Sequence, residues 1–215
     1  MFAGDVDLAR LEPQVFADVV WAGQRRVRGL GGVVGTMLTL ASFDTNFEQA
    51  GVAAGMVVSV GGVAHEVIER TSATTLTISR VRASDGDDAI APAPVASAVV
   101  EVMSFASQIG AAHARVLALL GIAPGLTDPL SGVIAEDRVL NPRELAPMEA
   151  ALALQMVYGS AAVLSGPSSP IAARGSFYRG RFEDERRRAR AVIDTDGDGV
   201  GDAVRRPNAV RLSRG

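Results

Sequence analysis

Apolar positions along the chain change period three times. Over residues 5–28, Leu8, Leu11, Val15, Val19 and Val20 fall near one face of a 3.6-residue period, which predicts an N-terminal helix with Pro13 at a break or at the start of its main part. Gly29, Gly31 and Gly32 are expected to end it. From about 33 to 82 the runs TMLTL, GMVVSV, VAHEVIER and TLTISRV are rich in Val, Thr, Ile and Leu and bounded by turn formers, so they predict strands. Gly61-Gly62 joins two of these runs and supplies the positive φ angles of a tight hairpin. Residues 83–94, ASDGDDAIAPAP, form an acidic, proline-rich connector.

Helical spacing then returns. Val99, Met103, Ala106, Gly110, His113, Leu117 and Leu120 alternate steps of four and three, which predicts one long helix whose small residues admit a close helical partner. After a loop over 121–138, Asn141 is placed as an N-cap, Pro142 in the first turn and Glu144 at the capping-box position of a helix that is apolar all round, with a start nearer Pro147 as the alternative. A last helix is expected from Ser176 as cap, with Tyr178, Phe182, Glu185, Ala189 and Val192 on one face and pairs Glu183–Arg187 and Asp184–Arg188. The terminal NAVRLSRG alternates Val210 and Leu212 with Arg211 and Ser213, as an edge strand or extended arm does.

The expected fold is therefore mainly α: a helical bundle with an inserted small β module and an extended C-terminal arm. Residues 1–29 and 95–193 make the helical domain, 30–94 the β module with its connector, and 194–215 an acidic loop and the arm.

Composition narrows the function classes. With 48% hydrophobic and 21% charged residues in 215, the chain has the make-up of a folded globular protein. Aromatics are only 5%, so close packing has to come from small residues. There is no cysteine, which excludes disulfides and zinc-thiolate sites. The early acids of MFAGDVDLARLEP do not fit a secretion signal, and no run suggests the roughly 20 apolar residues of a membrane span, so a soluble protein without membrane contact is expected.

Residues 194–202, DTDGDGVGD, carry the one metal-ligand pattern. Asp194, Asp196, Asp198 and Asp202 stand at the first, third, fifth and ninth positions of a calcium loop, Gly199 at the sixth, and Val200 offers a carbonyl at the seventh. The twelfth position should bring a bidentate carboxylate, but it holds Arg205. The stretch resembles the calcium loops of thrombospondin type 3 and dockerin-like repeats over nine residues. The alternative is an Asp-Gly turn closing the last helix. In either case the role is structural, because a saturated oxygen cage does not activate water.

No nucleophile and base pair emerges, so no enzyme is expected. His65, in a strand, and His113, on a helix stripe, suit packed or interface positions. GLGGVVG at 29–35 lacks the strand and spacing of a phosphate loop. The arginine-rich run 179–190 contains Glu183, Asp184 and Glu185, and the net charge is −3, so a solvated helix face competes with phosphate binding.

Residues 143–164, RELAPMEAALALQMVYGSAAVL, followed by SFYRGRFEDERRRARAVIDTDGDG, resemble the connector or adaptor proteins that join head to tail in tailed bacteriophages. The resemblance rests on Leu145, Leu152, Tyr158, Phe177, Tyr178, Phe182 and the aspartates from 194, over some 75 residues. It implies a non-enzymatic virion subunit at the neck, assembled in the host cytoplasm. Its partners would be further copies in a ring, typically twelve, the portal, a tail or stopper protein, and genomic DNA in the channel. Phe177, Tyr178, Phe182, Arg205, Arg206, Val210, Arg211 and Leu212 would meet those partners. Alternatives are another neck or tail-completion protein, or a calcium-binding surface adhesion module.

Overall fold

The computed structural model describes residues 1–20, 24–125 and 134–207. It divides into two compact units, one of Gly4–Ala106 and one of Met1–Ala3 with the chain from Ser107 onward.

The first unit overturns the mainly-α expectation. Its strands are β1 (Arg25–Val34), β2 (Met37–Phe43), β3 (Val57–Val60), β4 (Val63–Arg70), β5 (Thr75–Arg80) and β6 (Val95–Met103), preceded by short helices α1 (Asp5–Leu11) and α2 (Val15–Asp18). All pairings are antiparallel, and the order β1-β2-β5-β4-β3-β6 closes into a barrel. Of the described residues, 37% are helical and 27% are strand. The barrel is the single largest departure from a helical bundle.

Closure depends on β6, which pairs with both β1 and β3. Val102 stands opposite Val27 on one side and Val58 on the other, and all three are fully buried. Val33, Leu38, Phe47, Val67, Leu76, Ile78 and Val100 complete the interior. A closed barrel leaves no unpaired edge, so residues 95–103 are worth more to the fold as the sixth strand than as a helical turn.

The glycines expected to stop a helix lie inside β1. A Cβ on Gly29 would stand 2.1 Å from the Ser42 carbonyl oxygen, on Gly31 2.6 Å from that of Thr39, and on Gly32 2.8 Å from that of Ala96. They let neighbouring backbones approach on both sides of a strand that bulges between Leu30 and Gly31. Residues 25–28 are accordingly strand, and the N-terminal helix is confined to two short pieces. The Gly61-Gly62 hairpin forms as expected: Val60 pairs with Val63, and the glycines have φ of 59° and 85°.

The second unit holds α3 from Ser107 (the helix runs Ala106–Leu120), a 3-10 turn at Glu136–Arg138, α4 (Pro142–Ser165), α5 (Pro170–Arg188) and the hairpin β7 (Ala191–Ile193) and β8 (Ala203–Arg205). α4 starts where Asn141 and Pro142 predict. The Asn141 side chain, however, serves the tertiary fold: its Oδ1 accepts from Val192 N at 2.8 Å and its Nδ2 donates to Arg190 O at 2.9 Å, tying β7 to the head of α4. α5 starts at Pro170, with Ser169 rather than Ser176 as cap; Ser169 Oγ accepts from Ala172 N. Its surface ion pairs are Glu183–Arg186 and Asp184–Arg187, one residue closer than expected.

α4 and α5 form an antiparallel hairpin. Tyr158 and Tyr178 stack at 5.8 Å with planes 6° apart, and a Cβ on Gly175 would meet Gly159 N at 3.4 Å. Small residues bring the backbones together and two large rings fill the space beside them, each buried ring contributing about 2–3 kcal/mol of transfer free energy. By length and composition alone α4 is apolar enough to cross a membrane, and 56% of its most apolar stretch is buried.

Candidate functional site

The acidic sequence lies in the loop of the β7–β8 hairpin, with Ile193 paired to Ala203 at its base. The chain turns through Gly197 and Gly199, with φ of 90° and 84°, where a Cβ would be strained. Asp194, at the end of β7, points inward: Oδ1 accepts from Gly197 N and Oδ2 from Gly199 N at 2.9 Å. Asp202 Oδ2 accepts from Thr195 N at 2.9 Å and Thr195 Oγ1 at 2.8 Å, closing the loop from the other side.

Carboxylate oxygens of Asp194, Asp196 and Asp202 lie within 4.8 Å of one another, a cluster that can hold a metal ion. Asp198 is not brought in; its carboxylate turns back to accept from Val200 N at 2.7 Å, and Val200 is 60% exposed. The residue at the vacant twelfth position, Arg205, leaves the loop and donates to the Leu120 and Gly121 carbonyls at the end of α3. Arg138 supplies positive charge instead, with Nη1 3.9 Å from Asp194 Oδ2.

Burial raises the Asp194 pKa, but the N–H groups of Gly197 and Gly199 and the charge of Arg138 outweigh it and hold the carboxyl below its ordinary value. Asp202 is held low by the Thr195 backbone and hydroxyl donors. Both are ionised at neutral pH. All-oxygen carboxylate donors suit a hard cation, and three carboxylates supply up to six oxygens. The residues fit such an ion, with water needed to complete the shell.

Beside the hairpin lies a groove of about 720 Å³, floored by Leu119, Ile134 and Val204 and edged by Arg190, Arg205 and Arg206. The groove is missed by sequence reasoning because its arginines flank two separate short strands: Ala191 pairs with Arg205, which sets Arg190 and Arg206 at the same open end of the hairpin.

A second polar cluster is centred on Glu149 of α4. Glu149, fully buried, accepts from Phe2 N at 3.2 Å, Ala3 N at 3.1 Å and His113 Nδ1 at 2.8 Å. His113 Nε2 is 3.1 Å from Glu136 Oε2, and the Met1 amino group is 2.9 Å from Glu136 Oε1. Burial raises the Glu149 pKa, while Glu136, despite burial, is held low by the amino group and His113. Phe2 stands edge-on to the His113 ring at 4.9 Å. This cluster packs residues 1–3 into the helical unit, so His113 is a packed histidine. His65, in the barrel, is also buried; burial and Arg80 lower its pKa, and its Nδ1 has no hydrogen-bond partner among the described residues.

Of the aromatic residues expected to meet partners, Tyr178 and Phe182 are buried within the helical unit, at 2% and 6% exposure, while Phe177 is 60% exposed. Arg205 is engaged with the end of α3, and Arg206 is exposed at the groove. Val210, Arg211 and Leu212 lie outside the described residues. Comparison of the chain with protein-family models, with curated proteins and with solved structures gives no match.

Proposed function

We propose that this chain is a non-enzymatic structural subunit of a tailed-phage neck, a head-to-tail adaptor whose copies form a ring between portal and tail around the DNA channel. The observation that carries the reading is the α4–α5 hairpin. Leu145, Leu152, Tyr158, Tyr178 and Phe182, the positions that resemble the adaptor family, make up its internal packing, while Val163, Leu164 and Phe177 are 82%, 83% and 60% exposed on its outside. Adjacent aliphatic residues left in water at one end of an otherwise well-packed hairpin favour association, since each gains roughly 1.5–3 kcal/mol when fully covered.

Calcium is the ion that the acidic hairpin suits best. It accepts mixed carboxylate and water shells with loose geometry, whereas magnesium demands a nearly regular octahedron. The ion would hold the β7–β8 hairpin rigid beside the groove and take no part in chemistry.

Deleting the gene for this chain in its phage tests the reading. DNA-filled heads without attached tails are expected, with tail attachment restored by adding the purified protein. Normal tailed particles lacking the polypeptide would end it.

A further inference from the structure

We infer that the arginine-edged groove of the helical unit receives the acidic strap Asp88–Ile90 of a second copy of this chain. The inference rests on the ring-forming reading above and names the contact that joins the copies. Each half shows an unmet need. At the groove, Arg190 and Arg206 lie at the same end of the hairpin, and neither side chain has a hydrogen bond or ion pair among the described residues. A carboxylate entering the groove would supply both guanidinium groups with a charge-assisted partner. Below them the floor of Leu119, Ile134 and Val204 is apolar, with Val204 58% exposed.

The strap presents the complement. Ile90 is fixed through its backbone, N to Ser79 Oγ at 2.8 Å and O from Arg80 N at 2.9 Å, while the residue stays 47% exposed. Two residues earlier Asp88 is exposed and makes no hydrogen bond or ion pair among the described residues. A carboxylate and an aliphatic side chain two residues apart on a tethered segment match two guanidinium groups over an apolar floor, and little conformational freedom remains to be lost on docking. Because the strap belongs to the barrel unit and the groove to the helical unit, the contact joins unlike surfaces. A heterologous contact of this kind generates a ring when its rotation closes.

The test uses the full chain. Sedimentation of the wild type at about 10–100 µM is expected to show a closed oligomer. Arg190→Glu with Arg206→Glu, and separately Asp88→Arg, should each reduce it to monomer with unchanged circular dichroism, and the three substitutions together should restore it. A peptide of residues 84–94 should bind the Asp88→Arg chain, at least tenfold more weakly once Arg190→Glu and Arg206→Glu are added, and more weakly as salt rises. Wild-type oligomers that persist in every charge-reversed variant overturn the strap-and-groove contact and leave the adaptor reading standing. A wild type that stays monomeric throughout overturns both.

Discussion

Replacing Glu149 by leucine removes the acceptor on which the packing of residues 1–3 depends. The carboxylate is completely buried and receives two backbone N–H groups and the His113 ring. Leucine is similar in size but leaves those three donors without a partner. A buried donor left unmet costs about 1–3 kcal/mol. Part of the sum is returned, because the mutation also removes the desolvation that raises the Glu149 pKa. The expected net loss is ~2–4 kcal/mol, and Glu149→Gln, which keeps one acceptor oxygen, should lose roughly half as much. Urea unfolding followed by circular dichroism at pH 7 measures it. With a slope of about 2 kcal/mol/M, the midpoint of the helical unit should fall by ~1–2 M. Hydrogen exchange supplies the local readout: the Phe2 and Ala3 amides should lose protection in Glu149→Leu before the rest of the unit does. A Glu149→Leu protein with an unchanged midpoint and protected Phe2 and Ala3 amides would refute the reasoning.

Three further outcomes follow from the geometry. Gly29→Val forces a Cβ to 2.1 Å from the Ser42 carbonyl oxygen, so the barrel should lose roughly 1–3 kcal/mol or more in urea unfolding, while the exposed Gly86→Ala should change it little. Calcium titrated calorimetrically into the protein should bind at the hairpin loop, and Asp194→Asn with Asp202→Asn should abolish the heat, whereas Asp198→Asn, whose carboxylate faces away from the cluster, should weaken it least. His65 has a folded pKa below its unfolded value, so the unfolded chain takes up the proton first as pH falls. Its contribution to barrel stability is complete above the unfolded pKa, near 6.5, and is lost as pH falls through the window down to the folded value. The urea midpoint of the barrel should decline from pH 7.5 to 5, and His65→Leu should flatten that decline.

The parts of the fold legible in the sequence are those decided locally. Gly61-Gly62 demands positive φ and makes its hairpin, β2 to β5 follow their β-branched runs, and Asn141-Pro142 opens α4. The parts misread are those decided across the fold. Val99 and Met103 are four apart, a spacing that places two residues on the same side of a helix or of a strand. Only pairing with β1 and β3 makes residues 95–103 a strand. Gly29, Gly31 and Gly32 look like a helix stop because their function, a close approach of Ser42, Thr39 and Ala96, is written elsewhere in the chain. At the acidic loop the residue spacing identified Asp194, Asp196 and Asp202, but not that Asp198 turns away or that Arg138 leans in, since both depend on the hairpin and the 3-10 turn around it. The Glu149–His113 cluster joins positions 36 residues apart and carries no local pattern.

The central claim, that copies of this chain build a ring at a phage neck, is tested most directly by weighing what the full-length protein forms in solution, alone and with the purified portal of the same phage. Mass photometry should give one closed multiple of the 22.3 kDa chain that adds as a single unit to the portal. A 22.3 kDa monomer that leaves the portal mass unchanged would contradict it.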